Sequence, residues 1–204
     1  IQEILINLKD RDMQAARDSS GNRIVPLSDS DTSPDILPNR YKQLADLIRF
    51  YKPTTILETG TWNGGRAIEM ALASFDNNDK VHYVGYDLFE DATTQTDKEE
   101  FNAKPHNTET AVIKRLDEFK EHIKKEKDKQ FTYELHKGNV RDILNGIHID
   151  KVDFALLGSG NSEKTVQHEY IVLKHVPVVV GDHFFTKDAD DGMPPEEYQG
   201  IKKV

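Results

Sequence analysis

Beyond residue 40, short apolar runs alternate with stretches whose apolar residues recur every three to four positions. The runs, which predict buried strands, cover residues 54–58, 81–86, 131–135, 152–157 and 176–180. The periodic stretches, which predict helices, cover residues 37–51, 65–74, 108–129, 142–144 and 162–174. Because strands buried on both faces have nearly continuous apolar runs, the alternation predicts an α/β fold with a doubly wound, mostly parallel sheet and helices on both faces.

The first forty residues follow a different pattern. Apolar residues at helical spacing predict a short amphipathic helix within residues 1–16. Residues 17–39 are rich in Ser, Asp, Gly and Pro, which is typical of a loop or lid. We therefore expect an N-terminal helix and loop over residues 1–40, followed by one α/β domain over residues 41–204.

Composition narrows the classes of function. Acidic residues outnumber basic ones by 36 to 27, and the formal charge of −9 disfavours broad binding to nucleic acid. No apolar stretch approaches the ~20 residues that span a bilayer, so we expect no membrane partner. The absence of cysteine excludes disulfides and thiolate sites and fits a cytoplasmic protein. A small molecule is therefore the expected partner.

The turn after the first predicted strand of the domain has the most specific pattern. Gly60 and Gly64 let the backbone turn tightly and let a ligand approach closely, and the next helix directs its free N–H groups to the same crevice. Glu58 would repel the pyrophosphate of a dinucleotide and attract an ammonium or sulfonium group. The spacing also differs from the Gly-x-Gly-x-x-Gly of a nicotinamide site and from a Walker loop.

The second strand ends at Asp87, where a carboxylate can accept hydrogen bonds from both hydroxyls of a ribose. Glu58-x-Gly60-x-x-x-Gly64 followed by Asp87 resembles the signature of class I S-adenosylmethionine (SAM)-dependent methyltransferases. The ends of the later strands resemble the branch of that family that methylates oxygen atoms of small molecules. The resemblance implies a Rossmann-like fold, SAM as cofactor and S-adenosylhomocysteine as product.

The resemblance also implies a set of cofactor contacts. The set comprises Glu58, Gly60, Thr61, Trp62, Asn63 and Gly64 around the methionine end, Asp87 at the ribose, Leu88, Asn139 and Val140 at the adenine, and Gly158 and Ser159 near the transferable methyl group. Several of these residues have structural alternatives. Glu58 could cap a helix or pair with a surface arginine, and Asp87 and Asn139 could serve as turn residues. Trp62 could pack under the first helix instead of forming a wall for the cofactor.

The candidate catalytic residues are Asp182 and His183, at the carboxyl end of the fifth predicted strand of the domain. Methyl transfer is an in-line displacement, so alignment of donor and acceptor contributes most, and a base is needed only when the acceptor is protonated. A neutral imidazole can act as that base near neutral pH. The alternative for His183 is a hydrogen bond to the backbone. On the preceding helix, His168 and Glu169 are expected to be surface or packing residues.

The chain departs from the family's pattern in two places. Members that use a divalent metal carry a carboxylate at the end of the fourth strand, where this chain has Gly158. We therefore expect no metal, with Asp182 as a ligand only if one binds and residues 188–191 as a solvated loop or an acceptor-binding lid. The sequence after the fifth strand is also too short for the family's last helix and hairpin, so we expect the domain to be incomplete.

These observations favour a SAM-dependent methyltransferase whose acceptor is a small molecule, with oxygen as the accepting atom by family resemblance. Because this chain has Gly158 where a carboxylate is expected, the second hypothesis is a homologue that binds SAM or a related nucleoside without turnover. An NAD-type Rossmann enzyme is the third hypothesis, and Glu58 and the glycine spacing disfavour it. A homodimer is left open by the sequence.

Overall fold

A computed structural model of the chain describes residues 5–7, 39–102, 104–144 and 151–181. Its strands are β1 (Leu5–Asn7), β2 (Thr55–Thr59), β3 (Lys80–Asp87), β4 (Gln130–Lys137), β5 (Phe154–Leu157) and β6 (Val178–Gly181). Its α-helices are α1 (Asn39–Tyr51), α2 (Gly65–Phe75), α3 (Thr94–Glu99), α4 (Glu109–Lys127), α5 (Val140–Ile143) and α6 (Glu163–Leu173). One turn of 3-10 helix covers Phe89–Asp91. None of the helices in these ranges is long and apolar enough to cross a membrane.

The described strands form one parallel sheet in the order β1-β6-β5-β2-β3-β4. From β2 onward this is the order of a doubly wound fold, in which the chain first winds one way from the central strand and then the other. The direction reverses between β2 and β5, which are neighbours with Ile56 opposite Phe154. The predicted α/β class is therefore confirmed, and the reversal point lies where such folds bind ligands.

The N-terminal prediction was wrong where the structure describes it. Leu5–Asn7 is a strand, not part of a helix, and Ile6 pairs with Val180 at the edge of the sheet. A short apolar run fits either element, and the open edge of β6 supplies backbone partners that only a strand can use. Residues 8–38 lie outside the described part of the chain, so the division at residue 40 stays a prediction.

Helices cover both faces of the sheet. One face packs against α1, α2 and α4, and the other against α5 and α6, through two separate buried clusters. Since side chains alternate along a strand, Ile56 belongs to the first cluster and Leu57 to the second. By the same alternation, Glu58 lies on the face of α2 and Thr59 on the face of α6. The side chains of the last two residues of β2 therefore point to opposite faces of the sheet.

The predicted apolar stripe of α4 is confirmed. Its buried residues are Val112, Leu116, Phe119 and Ile123, which recur at helical spacing. The helix begins where the Thr108 hydroxyl accepts a hydrogen bond from the amide of Ala111 at 3.2 Å. The charged residues between the stripe positions face solvent, as the sequence predicted, except for Arg115, which is half-buried and donates to the carbonyl of Asn63 at 3.0 Å.

We expect Leu116→Ala to destabilise the fold much more than Ile113→Ala. Leu116 is fully buried in the first cluster, whereas Ile113, on the same helix, is 38% exposed. Removing a buried leucine leaves a cavity and costs about 2–5 kcal/mol, while the exposed residue should cost under about 1 kcal/mol. Urea unfolding of both variants measures this difference. Equal losses of stability would contradict the packing of α4.

Candidate functional site

A cavity of about 400 Å³ lies at the carboxyl ends of β2, β3, β4 and β5. It therefore opens at the point where the strand order reverses. Its size lies within the range of small-molecule sites. The predicted residues that line it are Gly60, Trp62, Asp87, Leu88, Asn139, Val140, Gly158 and Ser159.

Two turns meet at the centre of this site. Gly60 has φ +79°, and a Cβ atom there would lie 2.1 Å from the carbonyl oxygen of Gly158. Only glycine therefore permits the turn after β2 to contact the turn after β5. The amide of Gly60 donates to the carbonyl of Tyr86 at 2.7 Å, which also fixes the turn to the end of β3.

Trp62 lines the cavity and is held at both its backbone and its ring. Its φ of +52° is unfavourable for a bulky residue, and the conformation is stabilised by a 2.7 Å hydrogen bond from its amide to Asp87 Oδ2. Its ring Nε1 donates to the carbonyl of Pro105 at 2.9 Å. Of the two alternatives for this residue, the structure thus supports a place in the cavity wall; its contact with a cofactor stays a prediction.

Asp87 lies where the sequence placed it, at the end of β3 and on the cavity wall. One carboxylate oxygen accepts the Trp62 amide, and the other accepts the amide of Phe89 at 2.7 Å. A carboxylate offers about four acceptor positions, so two remain for a ligand such as a polyol. The two backbone bonds fix the side chain in place before any ligand arrives.

Glu58 lies behind the cavity wall. Its side chain is fully buried, with Oε1 2.7 Å from Nε of Arg66 and Oε2 accepting the Tyr83 hydroxyl at 2.6 Å. Burial raises the pKa of Glu58 to about 7, although Arg66 and Tyr83 both act to lower it. Its negative charge is therefore compensated within the protein, and its proposed role at the cofactor remains untested.

Arg66 is a site residue that the sequence pattern did not reveal. This residue lies in the first turn of α2, lines the cavity, and donates from its guanidinium to the carbonyl of Gly60 at 2.9 Å. A Cβ atom on Gly158 would lie 3.2 Å from the same guanidinium. Arg66 thus joins the buried Glu58 to both turns. A helical side chain in a first turn points back towards the N-terminus, and that direction is the signal that could have found it.

The other predicted residues of the glycine turn support its shape. Thr61 is buried, with its hydroxyl 3.0 Å from that of Tyr83. Asn63 accepts the amide of Gly65 at 2.8 Å, and Gly64, with φ +77°, precedes the first residue of α2. These contacts begin the helix directly beside the cavity.

Asn139 and Val140 line the cavity after β4. The Asn139 side chain accepts the amide of Arg141 at 3.0 Å and thereby caps α5. Both alternatives for Asn139, the turn residue and the cavity wall, are therefore compatible with the geometry. Val140 is largely buried and gives this part of the wall an apolar surface.

The turn after β5 rests on a buried acid that the sequence analysis treated as a surface or packing residue. Glu169, on α6, is 1% exposed and accepts a short hydrogen bond from the Ser159 hydroxyl. Burial raises the pKa of Glu169 to about 7, against the lowering effect of bonds from Ser159 and Thr59. Thr59 also accepts the amide of Gly158 at 3.0 Å, so strand, turn and helix are joined.

Residues 89–106, which we name the cover segment, extend across the cavity; residue 103 lies outside the described part. The sequence pattern predicted no helix between residues 86 and 108, whereas the segment contains α3. The carbonyl of Pro105 accepts the ring N–H of Trp62, and Glu100 accepts the hydroxyl of Thr165 at 2.6 Å and the amide of Ser162 at 3.1 Å. Its cavity-lining residues are Thr96, Glu99, Glu100, Phe101, Asn102, Lys104, Pro105 and His106.

The proposed catalytic pair, Asp182 and His183, lies outside the described residues, as do residues 188–191. The last described residue of β6, Gly181, is paired with Leu157, which immediately precedes Gly158. The described residues contain no group of three or more His, Asp or Glu side chains that could hold a metal ion. The role of Asp182 and His183 therefore stays a prediction.

No family model matches the chain, and no curated protein matches it. Several solved structures do. This chain is similar in structure to O-methyltransferases. The O-methyltransferase TomG from Streptomyces achromogenes, involved in tomaymycin synthesis and solved in complex with SAM, is 19% identical, with a TM-score of 0.47 over 72% of this chain and 57% of that one.

Two further structures have similar values. The O-methyltransferase from Bacillus cereus, in complex with S-adenosylhomocysteine, is 17% identical, with a TM-score of 0.43 over 72% of this chain and 53% of that one. The methyltransferase PaMTH1 from Podospora anserina, bound to the same product, is 15% identical, with a TM-score of 0.43 over 76% and 56%. The chain matches little more than half of the length of these structures.

We expect Gly60→Ala to disrupt the site and Gly65→Ala to be tolerated. A methyl group at Gly60 meets backbone at 2.1 Å in a left-handed conformation, whereas at Gly65 it meets only the end of the Asn63 side chain, at 3.0 Å. The first substitution should lower the free energy of unfolding by roughly 2–4 kcal/mol, and the second by less than about 1 kcal/mol. Thermal unfolding measures both. A fully stable Gly60→Ala variant would show that the two turns do not touch.

We expect stability to fall as pH rises from about 4.5 to about 7. Burial raises the pKa of Glu58, Glu69 and Glu169 from an ordinary value near 4.5 to about 7, so the folded state binds more protons than the unfolded chain in this window. Each group should contribute on the order of 1–3 kcal/mol, present at the acidic end and lost at the neutral end. The pKa values of Glu90 and Asp97 are lowered, so these two groups change the stability only at more acidic pH.

Urea unfolding at about pH 5, 6, 7 and 8 measures this dependence. Glu58→Gln should flatten it, since the variant has one group fewer that binds a proton only when folded. A free energy of unfolding that rises steadily through the window would contradict the burial of these carboxylates.

Proposed function

We propose that this chain forms the SAM-binding core of a methyltransferase that acts on a small molecule. The observation that supports it most is the position of Asp87 and the Gly60 turn on one cavity wall, at the reversal of strand order. A doubly wound fold binds nucleoside-containing ligands at this place. Fold alone does not define a function, so the proposal depends on the chemistry of the wall.

The residues of the wall fit the parts of SAM. Asp87 has acceptor positions for the ribose hydroxyls, and Leu88 and Val140 provide apolar contact for an adenine ring. The close approach of Gly60 to Gly158 leaves backbone, rather than side chains, beside the ligand. These residues would hold the nucleoside and bring the methionine end towards the glycine turn.

The charge at the methionine end differs from the sequence-based interpretation. Glu58 is enclosed by Arg66 and Tyr83, whereas the guanidinium of Arg66 lies on the cavity wall. A guanidinium suits a carboxylate, which the methionine part of SAM carries together with its ammonium. Arg66 would thus bind the cofactor, and Glu58 would hold Arg66 in position.

When bound, SAM supplies an activated methyl group. The protein's own contribution is to align the acceptor with that group, and alignment can account for ~7–11 kcal/mol of the barrier. We propose oxygen as the accepting atom and His183, beside Asp182, as the base that removes its proton. No divalent metal is part of the proposal, because Gly158 provides no carboxylate at the end of β5.

A homologue that binds SAM without turnover is the second candidate, favoured by the same glycine at position 158. A nicotinamide enzyme is disfavoured because the turn lacks Gly-x-Gly-x-x-Gly. A homodimer and a cytoplasmic location stay predictions.

We expect Asp87→Asn to weaken binding of S-adenosylhomocysteine at least about tenfold. The change removes the charge and one acceptor oxygen at the ribose position, which costs roughly 1.4 kcal/mol or more. Trp62 is the only tryptophan of the chain and lines the cavity, so its fluorescence reports the titration without a label.

The matched control is Asp91→Asn, an exposed acid four residues further along the chain. It should bind as tightly as the wild type. Equal affinities of the Asp87→Asn variant and the wild type would remove Asp87 from the site and contradict the proposed placement of the ribose.

A further inference from the structure

We propose that Glu169 is a positioning residue for the cofactor, and that its ionised carboxylate holds the turn after β5 in the conformation that binds SAM. This inference rests on the proposed function, because it concerns the same cavity. Glu169 is buried beneath the turn, whereas Gly158 and Ser159 line the cavity above it. Glu169 thus acts through the turn.

The groups around the Glu169 carboxylate are hydrogen-bond donors. The Ser159 hydroxyl donates to it, and the Ser159 amide and the Thr59 hydroxyl lie close enough to act to lower its pKa. An ionised carboxylate is purely an acceptor and matches such a set, whereas a protonated one carries a donor of its own. Without this acceptor the Ser159 hydroxyl would lose its hydrogen bond to α6, and the turn would lose a contact that fixes it.

Thr59 transmits this arrangement to the backbone of the turn. Its hydroxyl oxygen accepts the amide of Gly158 at 3.0 Å, and its proton has two acceptors within reach, the Glu169 carboxylate and the carbonyl of Leu156 at 3.4 Å. The carbonyl of Gly158 in turn touches Gly60. The chain of contacts therefore runs from Glu169 through Thr59 and Gly158 to the glycine turn.

The ionisation of Glu169 should therefore control cofactor affinity. Burial raises the pKa of Glu169 to about 7, and the negative charge of Glu100, from the cover segment, acts in the same direction. Lowering the pH from about 8 to about 6 converts most of the carboxylate to the acid, so affinity should fall about tenfold. Because the pKa of Glu58 is also raised to about 7, the pH dependence of the wild type alone does not identify Glu169, and the comparison of wild type with Glu169 variants is needed.

The test compares the wild type with Glu169→Gln, Glu169→Asp and Glu163→Gln. Glutamine keeps the shape of Glu169 but carries an amide donor and no charge, whereas aspartate keeps the charge. Glu163, exposed on the same helix, is the matched control for loss of one negative charge. Isothermal titration with S-adenosylhomocysteine at about pH 6 and pH 8 gives the affinity. Melting temperature without ligand, from about pH 5 to pH 7.5, gives a readout that does not depend on the cofactor.

We expect Glu169→Gln to bind S-adenosylhomocysteine weakly at both pH values and to lose most of the pH dependence of affinity. Glu169→Asp should keep part of the affinity and part of its pH dependence. Without ligand, Glu169→Gln should also show a smaller fall in melting temperature with pH, and Glu163→Gln should behave as the wild type in both experiments. Wild-type affinity and pH dependence in Glu169→Gln would overturn the proposal. A wild type that binds no S-adenosylhomocysteine, with the expected melting behaviour in Glu169→Gln, would instead overturn the proposed function and leave Glu169 as a support of the turn alone.

Discussion

The site depends on one close contact, between the turns that follow β2 and β5. These strands are parallel neighbours at the reversal of strand order, so their carboxyl ends lie side by side and the turns that follow them are in close contact. The chain resolves this with Gly60, where any Cβ atom would meet the carbonyl of Gly158. Contact of backbone with backbone leaves the cavity open beside it and places polar groups of both turns at its floor.

Each of these turns is supported by a buried carboxylate, and the two supports lie on opposite faces of the sheet. Glu58 points to the face of α2 and binds Arg66. Thr59, the next residue, points to the face of α6, where it accepts the amide of Gly158 and lies near Glu169. Both acids are almost wholly buried, and buried charges are retained in proteins when they are paired or hydrogen-bonded. Rigid support from both faces would allow the cavity wall to keep its shape before a ligand binds.

The sequence predicted what depends on local pattern. The strands from β2 to β6 and the helices α1, α2, α4 and α6 follow from apolar runs and periodicity, and Asp87 was placed correctly at the end of β3. What it missed depends on partners distant in the sequence. Leu5–Asn7 is a strand only because β6 has an open edge, and Glu169 is buried only because Ser159 and Thr59 approach it from other segments. The cover segment was missed for the same reason, since its contacts are with Trp62 and the start of α6.

The most direct test of this account is isothermal titration of the wild-type chain with S-adenosylhomocysteine, with NAD titrated in parallel. We expect saturable binding of one S-adenosylhomocysteine per chain and no binding of NAD. The wall offers Asp87 and Arg66 to a nucleoside joined to an amino acid, whereas the glycine spacing is not that of a turn that binds a pyrophosphate. Tight binding of NAD, or no binding of S-adenosylhomocysteine, would contradict it.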